Sequence, residues 1–235
     1  MMRVLHVNGS PHSAASHASR LAEEMIAGLR GPDGEANRDF RLVRRDLLAE
    51  PLPAIGQAYA SAITSPPPGT PGAADAATLA AAFGWSERLI GELEQTDLLV
   101  ISTPMHNFTV PASLKLWIDH VLRIHRTFAA TPAGKVGLLR DRPTFVLVGS
   151  GGFHAGERAR QPDFLTPYVR HVLATIGIHD VTFVLLQGLV GGDAAVAGAI
   201  ATARRQIAGE MARLRGMPWP KSAATEIGEM PSRLA

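Results

Sequence analysis

The chain has no cysteine. Disulfides, thiolate nucleophiles and cysteine-bound metal centres are therefore excluded. Aromatic residues make up only 6% and charged residues 19%, and the net charge of +2 is close to balanced. Arginine-rich spots such as Arg41 to Arg45 are short and interleaved with apolar residues. A nucleic-acid partner is not expected from such a distribution. No apolar run approaches the roughly 18 residues needed to cross a bilayer. The opening MMRVLHVNGS has an apolar stretch too short for a secretory signal. A cytoplasmic protein with no membrane partner is the expectation. The nine histidines include no HExxH, and His120 and His125, read on one helix, are five apart and do not share a face. No metal site is expected. GxxxxGK[ST] and GxGxxG are also missing, which argues against a P-loop and against a standard dinucleotide loop.

What is present is an alternation of short apolar runs and amphipathic stretches. Hydrophobic residues reach 46% of 235, enough for one sizeable core. Val4–Val7, Phe40–Val43, Leu98–Ser102, Thr144–Val148 and Val181–Leu186 read as strands. Ser16–Leu29, Thr78–Glu94, Ala112–Ile124, Phe164–Ile176 and Ala194–Leu214 carry helical stripes, the first with Ser16 as a candidate cap. Residues 127–139 read as irregular. Strand–helix alternation of this kind implies a parallel sheet covered on both faces. Five strands fit an α/β flavodoxin-like three-layer sandwich, a five-stranded parallel sheet in the order 2-1-3-4-5. The expected domain spans 1–215. Inside it, residues 49–77 hold Pro51, Pro53, Pro66, Pro67, Pro68 and Pro71 and read as a Pro-rich insertion outside the core. Residues 216–235 read as an extended C-terminal tail.

In such a sheet, ligands bind beyond the carboxyl ends of the strands. Three loops there are chemically unusual. Asn8-Gly9-Ser10 through His17 offers hydroxyls and amides leading into a helix N-terminus, which suits a phosphate monoester as well as it suits an ordinary polar cap. Pro104-Met105-His106-Asn107-Phe108 offers a thioether, an amide and an aromatic ring, suited to a flat heteroaromatic ligand or to core filling. Gly149-Ser150-Gly151-Gly152 lets backbone approach a ligand closely, or simply turns. The last is no nucleophile elbow, because Val148 stands where glycine is required. Lys115 and Arg126 read as surface or interface charges.

Taken together these loops resemble the FMN-dependent NADH:quinone oxidoreductases that also reduce azo compounds, the bacterial azoreductases. The stretch Pro104-Met105-His106-Asn107-Phe108 is close to that family's P-M-Y-N-F. Leu114-Lys115, Asp119, Thr127-Phe128, Gly151-Gly152-x-His154, Thr166-Pro167-Tyr168, Gly177-Ile178 and Asp180-Val181 follow its spacing. The resemblance runs from about residue 3 to 210 and is strongest over 97–188. It implies FMN as cofactor, with Ser10, Ser16, His17 and Ala18 holding the phosphate. Met105, His106, Asn107 and Phe108 would contact the isoalloxazine, and Gly149, Ser150, Gly151 and Gly152 its pyrimidine side. It also implies a homodimer, NADH or NADPH as donor, and two-electron ping-pong transfer to a quinone or azo acceptor. No single acid or base is expected to be indispensable; His154 and His106 are the candidates for orienting the acceptor. This chain departs from the family at His106, where Tyr is common, at Ser150, where Arg occurs, at Ala18, and in a shortened hairpin after Phe128. The rival readings are a flavodoxin-type electron carrier, an NAD(P)H:FMN reductase with another acceptor, and a hydrolase using Ser10 or Ser150. The +2 charge disfavours the carrier, and no Asp–His pair at recognisable spacing supports the hydrolase.

Overall fold

The structure, a computed structural model, describes residues 2–29, 40–66 and 69–215. Five strands form the main sheet: β1 (Met2–Asn8), β2 (Phe40–Asp46), β3 (Leu98–Pro104), β6 (Thr144–Gly149) and β7 (Val181–Leu186). Their order is β2-β1-β3-β6-β7 and every pairing is parallel. This is the expected order, once the small hairpin described below is set aside.

The apolar runs become strands because both faces of the sheet are covered. Alternate residues of each strand feed two separate cores. Leu5, Val7, Leu99, Ile101, Val146 and Val148 pack against α3 (Ala76–Glu94), α4 (Ala112–Val121) and α5 (Thr166–Thr175). Val4, Leu98, Val100, Phe145, Leu147 and Val184 pack against α1 (His17–Leu29) and α6 (Asp193–Arg215). Trp117, Phe145 and Leu89 are among the largest fully buried side chains. Each such side chain contributes about 1.5–3 kcal/mol of transfer free energy. The result is a three-layer sandwich whose loops at one edge of the sheet are free to form a site.

Three expectations are corrected. Residues 127–139 are not irregular: β4 (Phe128–Thr131) and β5 (Gly134–Gly137) form an antiparallel hairpin. Its strands are short and mostly exposed, so they lack the apolar pattern that marks the main sheet. The Pro-rich segment is not wholly outside the core. It contains α2 (Gln57–Ile63), and its Leu52, Tyr59 and Ala62 are buried. Tyr59 stands edge-on to Phe83 at 5.2 Å and to His120 at 5.7 Å, while His120 Nε2 meets the Pro53 carbonyl at 3.0 Å. Finally, α4 ends at Val121, and His125 lies beyond it with φ +65°. His120 and His125 therefore do not share a helix at all. Residues 216–235, read as a tail, lie outside the described residues.

Among the described residues no helix is long and apolar enough to cross a membrane. No group of three or more His, Asp or Glu that could hold a metal ion occurs among them either.

Candidate cofactor-binding site

The loop after β1 is fastened at both ends. Asn8 Oδ1 accepts from the Ser10 N–H at 3.1 Å, and Ser10 Oγ accepts from the His12 N–H at 3.2 Å. A single 3₁₀ turn, Ser13–Ala15, carries the chain to α1. Ser16 Oγ accepts from the Ser19 N–H at 3.1 Å, the expected N-cap bond. Asp46 Oδ2 accepts from both Asn8 Nδ2 and Ser13 Oγ, tying the loop to the end of β2. The N–H groups of His17 and Ala18 make no hydrogen bond among the described residues. With the positive end of the helix dipole behind them, they suit an anion. The Ser10 hydroxyl has accepted one bond and retains its own proton to donate.

The loop after β3 turns sharply. His106 and Thr109 exchange backbone bonds of 2.9 Å in each direction. Between them Asn107 has φ +46° and Phe108 φ +71°. Two successive left-handed residues make this a type I′ turn, a conformation that Asn tolerates and Phe resists. Their N–H groups have no partner among the described residues. Met105 is steadied by its N–H to the Gly149 carbonyl at 2.8 Å and by Gln161 Nε2 to Sδ at 3.6 Å.

The loop after β6 is packed from behind by a loop no sequence argument singled out. The Gly151 α-carbon sits so close to Val190 that an added Cβ would meet Val190 Cγ1 at 2.9 Å. The Ser150 N–H bonds the Leu186 carbonyl and the Leu189 N–H bonds the Ser150 carbonyl. Ser150 Oγ donates to the Gly152 carbonyl at 2.9 Å and lies 3.1 Å from His154 Nδ1. Because the one hydroxyl proton goes to Gly152, Nδ1 must carry the hydrogen in the second bond. His154 Nε2 is then an acceptor. It is buried and has no partner among the described residues. Burial holds the His154 pKa below its ordinary value, against the opposing pull of Asp163.

These loops enclose a crevice of about 420 Å³ lined by Ser10, His12, Ser16, His17, Ala18, Thr103, Pro104, Met105, His106, Gly149, Ser150, Gly151, Leu189 and Val190. Of the expected site residues, nine stand on its wall. Asn107, Phe108, Gly152 and His154 do not: the first two project at its rim, and His154 is buried beside Ser150. His12, Thr103, Pro104, Leu189 and Val190 were missed. Leu189 and Val190 follow β7, so the rule that placed the other loops would have found them.

The flavodoxin-like fold family matches residues 2–210. FMN-dependent NADH:quinone oxidoreductase 4 of Pseudomonas fluorescens is 55% identical over 204 residues, 87% of this chain and 93% of its own length. The chain belongs to the FMN-dependent NADH:quinone oxidoreductase family. A second relative so named, from Burkholderia lata, is 50% identical over 83% of this chain and 90% of its own length. A solved azoreductase from Bacillus anthracis superimposes with a TM-score of 0.76 at 24% identity, covering 91% of this chain and 100% of that one. At that identity it speaks for the fold alone.

The donor set fits FMN. One end of the crevice pairs free amides with serine hydroxyls and carries no lysine or arginine, as suits a single phosphate. The other end is apolar, with Met105, Leu189 and Val190, and lies next to the turn whose Asn107 and Phe108 N–H groups have no partner among the described residues. A heteroaromatic ring needs that combination of flat apolar walls and edge-directed polar groups.

Proposed function

We propose that this protein is an FMN-dependent NAD(P)H oxidoreductase that reduces quinones and azo compounds in two-electron steps. The observation that carries the reading is the crevice itself, with an amide-and-hydroxyl end for a phosphate and an apolar end for a ring. Ser10 and the N–H groups of His17 and Ala18 hold the phosphate, together with Ser16, whose hydroxyl proton turns to it from Ser19 Oγ. Met105, His106, Asn107 and Phe108 meet one side of the ring, and Gly149, Ser150, Gly151 and Gly152 the pyrimidine side. Bound FMN would supply the redox chemistry, a two-electron relay between NAD(P)H and a quinone or azo acceptor.

The chain's own part is position and polarity. The type I′ turn aims two backbone N–H groups outward without spending a side chain. Gly149 and Gly151 keep the wall thin. The exposed His106 orients the acceptor. Buried and neutral at pH 7, His154 offers an acceptor atom and not a proton. Residues 1–215 form one FMN-binding domain, working in the cytoplasm as a homodimer whose exposed Phe108 and Phe164 rims close on the partner.

Purified protein should be yellow, or turn so with added FMN, and should oxidise NADH with a quinone and no partner protein. Colourless protein that fails to bind FMN would end this reading. Flavin binding without steady-state turnover would leave an electron carrier in its place.

A further inference from the structure

His6 interrupts the apolar run of β1 and is 4% exposed, yet lies outside the crevice. Its Nδ1 is 3.0 Å from Glu23 Oε1, and its Nε2 is 2.9 Å from Ser102 Oγ. Ser102 Oγ is 3.2 Å from Asn8 Oδ1. That same oxygen accepts from the Ser19 hydroxyl at 2.9 Å and the Ser10 N–H at 3.1 Å. Ser19 Oγ in turn is 3.0 Å from Ser16 Oγ. An unbroken chain thus runs from the partly exposed Glu23 through the buried His6, Ser102, Asn8 and Ser19 to the two serines on the phosphate wall.

Counting protons along it fixes the direction of each bond. A carboxylate only accepts, so His6 Nδ1 carries the hydrogen. The neutral imidazole then accepts at Nε2, and the Ser102 proton goes there. Asn8 Oδ1, with two lone pairs, is left with two donors, Ser19 and the Ser10 N–H. Without an acceptor at position 6, the Ser102 proton would turn to Asn8 Oδ1 at 3.2 Å or to Ser19 Oγ at 3.3 Å. At Asn8 three donors would then compete for two lone pairs, and at Ser19 the newcomer would compete with the Ser16 hydroxyl, so the hold on the serines loosens either way. The groups facing the imidazole are Glu23 on α1, Arg44 and Asp46 on β2, and Ser102 on β3. Burial favours the neutral form the count requires.

We propose that His6 is a positioning residue of the phosphate site: by accepting the Ser102 proton it leaves Asn8 free to hold Ser10 and Ser19, and through them Ser16, in register for the phosphate. The inference rests on the FMN reading above and names what organises one end of that site.

The test compares dissociation constants for FMN and riboflavin, read from flavin fluorescence on apoprotein. Riboflavin lacks the phosphate, so the ratio isolates this end of the crevice. His6→Leu should weaken FMN about tenfold, the scale of one hydrogen bond, and riboflavin less than about twofold. Adding Ser102→Ala removes the surplus donor and should restore FMN binding to within about threefold, which lost packing alone would not allow. His6→Gln, whose carbonyl can take the Ser102 proton, should keep the wild-type ratio, and it is informative even if the leucine variant does not fold. An unchanged ratio in folded His6→Leu overturns the proposal, as does a tenfold loss in His6→Gln or a failure of Ser102→Ala to rescue. Wild-type protein that bound neither flavin would instead refute the FMN reading, and the proposal with it.

Discussion

At one end of the crevice Ser10, Ser16 and Ser19 sit inside a closed hydrogen-bonded array, and Ser10 and Ser19 are buried. At the other, Asn107 and Phe108 stand at positive φ on an exposed turn, beside an exposed Phe164 and a Val190 that is 84% exposed. The first end spends polar groups on one another so that a few donors point outward in fixed directions. The second spends backbone strain and leaves apolar surface uncovered. A phosphate is small and always the same, and a rigid cradle suits it. Acceptors differ in shape, and a rim of exposed apolar side chains suits several. Anchoring and acceptance are thus divided between two kinds of construction within one crevice.

The sharpest way to break this division is a charge at the anchored end. Ser16→Asp keeps the cap, since Asp is as good an N-cap as Ser, but it sets a carboxylate where the phosphate belongs. Two such charges about 4 Å apart repel by about 4 kcal/mol at an effective dielectric of 20, so FMN affinity should fall by at least about a hundredfold. Riboflavin affinity and the melting temperature of the apoprotein should hardly move. Equal loss for both flavins would show that Ser16 does not face the phosphate.

The anchored end should also be the acid-sensitive one. Burial, the largest influence, depresses the His6 pKa despite Glu23. The unfolded chain therefore binds more protons than the folded one, and stability present above about pH 6.5 is lost as the pH falls below it. Glu23 is held down to about 2, chiefly by its bond to Arg44, so a second loss follows from about pH 4.5 downward. His154, whose pKa burial also depresses, adds to the upper limb, so urea midpoints measured from pH 8 to 3 should show both limbs in the wild type and a smaller upper limb in His6→Leu. A midpoint independent of pH between 7 and 5 would contradict the buried neutral histidine.

At the strained end, Asn107→Val places a β-branched residue in the left-handed region, at a cost of about 1–2 kcal/mol. Melting should drop by several degrees, at about 2–4 °C per kcal/mol for a chain of this size. Asn107→Gly should leave it unchanged or raise it slightly. A valine variant as stable as the wild type would mean the turn is not type I′.

Much of this arrangement was readable from the chain, for physical reasons that also explain what was not. The five main strands stand out because parallel strands buried on both faces are unbroken apolar runs, as in Leu98–Ile101. Their loops stand out because a strand that ends in Asn8-Gly9 or Gly149-Ser150 must turn at once. The hairpin Phe128–Gly137 has one buried residue, Phe128, and so left no pattern. The helix Gln57–Ile63 was hidden by flanking prolines, although its Tyr59 is an anchor. His6 reads as a flaw in a strand. Only the sheet register, which sets His6 opposite Val100 and Asn8 opposite Ser102, puts the histidine beside a hydroxyl 96 residues away.

The smallest effect is expected at His154, a candidate in the sequence for orienting the acceptor. His154 donates Nδ1–H to Ser150, is buried, and has a depressed pKa. A neutral imidazole with only a lone pair at Nε2 is no general acid. His154→Asn can keep the Ser150 bond, because the amide NH₂ takes the place of Nδ1–H. It should lower turnover with a quinone at pH 7 by less than about tenfold, against the hundredfold or more that a general acid contributes. The pH profile between 6 and 8 should keep its shape. A hundredfold loss, or a limb of the profile that vanishes with the imidazole, would place a proton on Nε2 during turnover. The division between an anchoring end and an accepting end would then need a third, catalytic element lying between them.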